Sequence, residues 1–300
     1  MRVTEKIVYD AMRFSVMENR DRLFAIQQRI AANRKLASPS DDPRGSEKAS
    51  QLHSTRAELE QFRRNIRFGK TSLEISDTAL QGVEDLLVRA KELAVQFSNG
   101  EFSDRDRKLA AEEVGEIRRQ VVGYANTKNG SEYVFSGFLG DTPAYSAAGV
   151  WQGDAGAREV RIGQSERIVT NETGADIFGS AAAAGGVPAG GLMKDLQDFQ
   201  AALENNDLDG VRNALTTMDA GMQAVLAGRA LAGTRIRRME VTDSAIGNML
   251  VAIDNQLSGI EDLDIAEMAT ELAKQEAVLQ AAVQVAGRIG SLTVLDAVKR

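Results

Sequence analysis

Apolar residues recur every seven positions in the first arm of the chain, at Leu52, Leu59, Ile66, Leu73, Leu80, Leu87 and Ala94. The companion positions three residues later are Thr55, Phe62, Gly69, Ser76, Val83, Ala90 and Phe97, so the seam is strong at both ends and thin at Gly69 and Ser76. Two such positions per heptad define one face of a helix that packs against another helix. The spacing predicts a helix over 45–98, about 80 Å long at roughly 1.5 Å per residue. Asp42 is placed to cap it, Pro43 suits its first position, and Ser98-Asn99-Gly100 closes it. A shorter helix is predicted from Ser103 to Ala125, opened by the capping pair Ser103 and Asp106.

The second arm is more regular. Steps of four and three from Val211 to Ile260 visit fifteen positions, of which thirteen are apolar against 43% for the whole chain. The two exceptions are Arg229 and Asp243. This predicts a second long helix of about 75 Å, preceded by a short one at Leu192–Leu203. After Ile260 the rhythm slips by one residue and resumes at Ile265, Met268, Leu272, Gln275, Leu279, Ala282, Ala286, Ile289 and Thr293. A one-residue slip predicts a hinge between Ser258-Gly259 and Asp264, with Asp264 capping the next helix. The N-terminal segment carries a rougher seam, Val3, Ile7, Phe14, Met17, Phe24 and Ala31, cut off by Ser38-Pro39-Ser40.

The two terminal segments are expected to pair with each other. Residues 1–37 hold eight basic and four acidic side chains, and 264–300 hold four and five. The small or polar seam residues Gln275, Ala282, Ala286 and Thr293 gain little from burial. Both ends are therefore expected to be poorly ordered alone and to fold against neighbouring subunits, with Ile7, Phe14, Phe24, Ile265, Met268, Leu272, Leu279 and Ile289 as the assembly residues. Pro39, Asp42, Pro43, Gly259 and Asp264 are the expected hinge and capping residues.

Between the arms the pattern changes. Residues 130–191 contain 13 of the 27 glycines and the single tryptophan, which marks a turn-rich insert. Glu132–Phe135 reads as a strand, 158–162 and 167–170 as a hairpin turning at 163–166, and 179–191 as a flexible linker. The expected fold is mainly α: a long antiparallel helical bundle or coiled coil formed by both chain ends, with a small β-rich insert. Its parts are the terminal helices 1–37 and 264–300, the long-helix bundle 38–130 and 192–263, and the insert 131–191.

Composition narrows the chemistry. The 300 residues include no cysteine and one histidine, which excludes disulfides, thiol nucleophiles, sulfur-bound zinc and any site needing two imidazoles. A formal charge of -7 argues against a nucleic-acid binder. Four prolines suit long uninterrupted helices. The first twenty residues have no apolar core for a cleaved secretory signal, and no stretch approaches the roughly 18 apolar residues of a membrane span. Read plainly this is a cytosolic chain, although an uncleaved export signal escapes such a reading. No phosphate-binding glycine motif or calcium loop is present. Ser40-Asp41-Asp42 reads as helix capping rather than a cation site, and His53 as a surface or seam-flank residue. Adjacent carboxylates such as Glu84/Asp85 point about 100° apart on a helix and do not flank one bond as a glycosidase pair must. Met218, Met222 and Met239 read as core. No catalytic, cofactor or metal site is expected, and the function is structural rather than enzymatic.

Several segments are then distinctive. AANRKLASPSDDPRGSEKASQL (31–52), GRALAGTRIRRMEVTDS (228–244) and SGIEDLDIAEMATELAKQEAVLQAA (258–282) resemble the paired N- and C-terminal motifs of bacterial flagellins and hook-associated proteins. MRVTEKIVYD, 131–145 and 150–178 are most similar to the members that join hook to filament, while GSLTVLDAVKR departs from the usual aromatic finish. The resemblance implies export through the flagellar type III apparatus without a cleaved signal, terminal helices forming an inner coiled-coil tube, and an outward insert. It also implies contacts with hook-associated protein 1, with flagellin and with copies of itself, and a cytosolic export chaperone at the C-terminal helix. The alternatives are a self-polymerising flagellin, and behind it an enzyme or an unrelated coiled-coil tether.

Overall fold

The computed structural model describes residues 2–33, 35, 39, 42–179, 182–183, 187–188 and 190–298. Among them are seven helices and six short strands, the strands all falling between residues 128 and 188. The helices are α1 (Arg2–Ala32), α2 (Pro43–Phe97), α3 (Asp104–Ala125), α4 (Gly174–Phe178), α5 (Leu192–Glu204), α6 (Leu208–Glu261) and α7 (Ile265–Val298). The chain divides into two compact units, Met1–Glu58 with Asn248–Arg300 and Leu59–Gly247. Helices α2 and α6 contribute residues to both.

The central unit, Leu59–Gly247, is a helical bundle. The predicted seam of α2 is its interior: Leu73, Leu80, Leu87 and Ala94 are completely buried, as are Val83 and Ala90 beside them. All of these but Leu73 share one core with Val114 and Val121 of α3, Leu196 and Phe199 of α5, and Val211, Met218 and Val225 of α6. Each buried Leu or Val contributes about 1.5–3 kcal/mol by leaving water. Helix α3 begins with the predicted capping box: Asp106 N–H donates to Ser103 Oγ at 3.3 Å and Ser103 N–H to Asp106 Oδ2 at 3.2 Å.

Ion pairs set the register of α2 against α6. Arg63 meets Asp243 at 2.8 Å, Lys70 meets Glu240 at 2.6 Å, Arg229 meets Asp77 at 2.9 Å and also Glu84, and Lys91 meets Asp219. On α2 these partners fall every seventh residue, at 63, 70, 77, 84 and 91, while their partners retreat along α6. The helices are therefore antiparallel, and the charged row flanks the apolar seam as it does in a coiled coil. The two polar interruptions of the α6 seam, Arg229 and Asp243, are both members of this row.

The insert lies in the same unit. Strands β1 (Lys128–Asn129) and β2 (Glu132–Tyr133) pair around Gly130, whose φ of +63° suits glycine. Strands β3 (Glu159–Arg161) and β4 (Arg167–Val169) form the expected hairpin, with Val160 opposite Ile168. Strands β5 (Ala182–Ala183) and β6 (Val187–Pro188) form a third ladder within the expected linker. The strand expected over Glu132–Phe135 ends at Tyr133, because Val134 and Phe135 are drawn into the core. An aromatic cluster fills the insert more than its sheets do. Tyr145 packs 5.1 Å from Trp151 and edge-on to Phe178 at 5.8 Å, and Phe178 is edge-on to Phe135 at 5.4 Å. The Asn126 amide at the end of α3 bonds both Tyr145 N–H (2.9 Å) and Tyr145 C=O (2.8 Å), which fixes where the insert leaves the helix. The thin seam position Gly69 has a purpose here: a Cβ there would lie 2.5 Å from the Thr170 methyl and 2.8 Å from Met239 Cε.

In the terminal unit α1 packs against α7. Asp42 caps α2 through its Oδ1, which accepts from Gly45 N–H at 3.0 Å, and Pro43 is the first helical residue. Ser40 and Asp41 lie outside the described residues. Helix α6 stays helical through Glu261, so Gly259 sits inside it and the break falls at 262–264. Asp264 Oδ1 accepts from Ala266 N–H (2.9 Å) and Glu267 N–H (3.1 Å), starting α7.

Candidate assembly surface

The terminal helices carry the expected assembly residues, and the structure sorts these into two groups. On α7 the four-three rhythm faces α1: Met268, Leu272 and Leu279 are partly buried and Gln275 is buried. On α1 the facing row is Met12, Val16, Asn19, Leu23, Ile26 and Ile30, all partly buried. This row differs from the one read off the sequence. It also steps by four and three, but it has a polar residue at its middle. That residue is matched, since Gln275 Nε2 donates to the Asn19 carbonyl at 3.2 Å and to Asn19 Oδ1 at 3.3 Å. Buried amides paired in this way specify register at some loss of stability.

The expected assembly residues Ile7, Phe14 and Phe24, with their seam neighbour Met17, lie on the solvent side of α1 and are 51–71% exposed. Ile265 on α7 is 62% exposed. Phe14 and Phe24 are thus exposed side chains of α1 and do not belong to the row that closes the helix pair. The inward row was legible as the phase whose polar member, Asn19, has an amide counterpart, Gln275, on the other helix. The side chain of Ile289 lies outside the described residues. Pro39 sits in an exposed turn.

Two further contacts hold the ends of this unit. Lys35 N–H donates to the Glu261 carbonyl at 2.7 Å, and Glu261 Oε1 lies 2.8 Å from His53 Nε2. His53 is thus a seam-flank residue with a carboxylate partner, as its position suggested. Arg56 reaches Asp254 at 3.3 Å, one heptad before Arg63. The sequence reading passed over this charged row, although its recurrence every seven residues from 56 to 91 was available as a signal.

Chemically the surface offers burial. Four large apolar side chains of α1, each more than half exposed, would gain about 1–2 kcal/mol apiece on being covered, and apolar patches of this kind mark interaction sites on soluble proteins. Among the described residues no group of three or more His, Cys, Asp or Glu side chains is arranged to hold a metal ion, and no helix is long and apolar enough to cross a membrane.

The chain thus combines paired terminal helices, which carry exposed apolar side chains, with a central bundle of long helices. The chain belongs to the bacterial flagellin family: the family's N-terminal helical region matches residues 3–138 and its C-terminal helical region matches 215–296. It is 26% identical to a flagellin of Listeria innocua, over 94% of this chain and 93% of that one. It is 24% identical to flagellar hook-associated protein 3 of Escherichia coli, over 94% of each. Its fold also resembles the flagellar junction protein FlgL of Legionella pneumophila, with a TM-score of 0.58 at 17% identity, covering 72% of this chain and 100% of that one.

Proposed function

We propose that this protein is a structural component of the extracellular bacterial flagellum, an adaptor that joins hook to filament by helix-mediated packing of its subunits. What supports the reading is the fold shared with a junction protein over that protein's whole length, together with similarity to hook-associated protein 3 over nearly the whole of both chains. The stripe of Ile7, Phe14 and Phe24 supplies the surface such packing needs. Its partners are copies of itself, hook-associated protein 1 on one side and flagellin on the other. A cytosolic export chaperone engages the C-terminal helix before export without a cleaved signal.

The second reading, a flagellin of the filament itself, is favoured by the similarity to the Listeria flagellin. Electron microscopy of cells lacking the gene separates the two. Loss of a junction adaptor leaves bare hooks and sheds flagellin into the medium. Loss of the flagellin leaves bare hooks and no shed flagellin. Hooks carrying normal filaments would overturn the adaptor reading.

A further inference from the structure

Within the central unit the insert meets α6 around a buried carboxylate. Glu172 lies in the turn between β4 and α4, and its side chain is 4% exposed. It fits because α6 presents a glycine there: a Cβ on Gly228 would lie 3.0 Å from Glu172 Oε2 and 3.1 Å from Ile177 Cδ1. Arg235, two turns further along α6, reaches Glu172 Oε1 at only 3.4 Å, and the same nitrogen donates to the Asn171 carbonyl at 3.1 Å. A charge-assisted bond of this type is ordinarily about 2.7–2.9 Å, so the pair is loose.

The other charges facing Glu172 oppose its ionisation. Asp176 of α4 and Asp77 of α2 both repel a negative charge at this position. Arg229 of α6 bridges Asp77 and Glu84, so this one cation faces two carboxylates and the group keeps a net negative charge. A cavity of about 400 Å³ adjoins the carboxylate, lined in part by Thr173, Asp176, Ile177 and Leu231. It is polar enough on one side to admit water.

We propose that Glu172 is a proton-operated clasp, which holds the 170–178 turn of the insert on α6 when neutral and loosens it when ionised, with water entering through the adjoining cavity. Burial, the largest influence, acts with the two carboxylates to push the Glu172 carboxyl up to about 7 from its ordinary 4.5, against the opposing pull of Arg235. The folded chain therefore holds this proton more tightly than the unfolded chain. The clasp is fully engaged below pH 4.5 and is lost as pH rises through about 7. This inference is independent of the junction reading.

Amide hydrogen exchange on the full-length protein tests it, with rates corrected for the intrinsic pH dependence of exchange. The reporters are Thr170, Gly174 and Gly179, whose N–H groups donate to Arg158, Phe135 and Ala175 carbonyls. From pH 6 to pH 8 the opening constant at these amides should rise about tenfold in the natural protein and stay flat in Glu172→Gln. An equal pH dependence in both proteins would overturn the proposal. Should Glu172→Gln fail to fold, the carboxyl ¹³C titration of Glu172 in the natural protein decides: a midpoint near 7 supports the clasp, and one near 4.5 overturns it.

Discussion

Arg229 is the most informative single residue of the α2–α6 pair. It interrupts an otherwise apolar seam, is partly buried, and bridges two carboxylates one heptad apart on α2, Asp77 at 2.9 Å and Glu84. Both carboxylates raise the Arg229 pKa, the Asp77 hydrogen bond most, so the charged form is the one the site holds. Arg229→Met keeps most of the stem's packing and removes only the guanidinium. Bonds to charged groups contribute about 1.5–3 kcal/mol each when well buried. Here the side chains are 27–37% exposed, so screening reduces each to about 1 kcal/mol. The two stranded carboxylates add their own penalty, and the expected loss is about 2–3 kcal/mol. Urea unfolding followed by circular dichroism should show it as a lowered midpoint. Replacing all three residues, Arg229→Met with Asp77→Asn and Glu84→Gln, should recover at least half of the loss, because no charge is then left unpaired. A single-variant loss below about 0.5 kcal/mol, which is ordinary for a surface change, or a triple variant no better than the single, would refute the reasoning.

Phe14→Asp and Leu272→Asp separate the two faces of the terminal unit. Phe14→Asp should leave the monomer's helical signal and melting unchanged while abolishing assembly, measured by sedimentation of polymerised protein. Leu272→Asp should abolish assembly and also expose the α1 and α7 amides to hydrogen exchange, since that side chain closes the helix pair. Gly69→Val tests the seat of the insert: Cβ contacts of 2.5 and 2.8 Å outweigh the roughly 0.5 kcal/mol of helix propensity gained. A net loss of about 1–3 kcal/mol is expected, with weakened exchange protection at the Thr170 amide.

Helices were the most legible elements in this sequence because their evidence is local and repeated. Seven-residue recurrence located α2 and α6, the Ser103/Asp106 pair located the start of α3, and a one-residue slip located the α6–α7 break. Legibility failed where two phases of one helix were both plausible. On α1 the aromatic residues drew attention to a stripe that the fold leaves exposed, and the row that packs runs through Asn19. The insert was only half legible, because its ladders are two or three residues long and its order comes from Tyr145, Phe135 and Phe178 meeting from distant positions.

All the helices except the five-residue α4, the caps at Asp42, Ser103 and Asp264, the turn-rich insert and the family could be read along the chain, since periodicity and short motifs are properties of neighbouring residues. Only the packed fold shows which apolar face is covered, that Arg229 and Asp243 are matched charges rather than flaws in a seam, and that Gly69 and Gly228 make room for the insert. It also decided that Glu172, one glutamate among many on paper, is buried. Each of these depends on what a distant segment places opposite a residue. Burial, unlike periodicity, is not a property of neighbours in the chain.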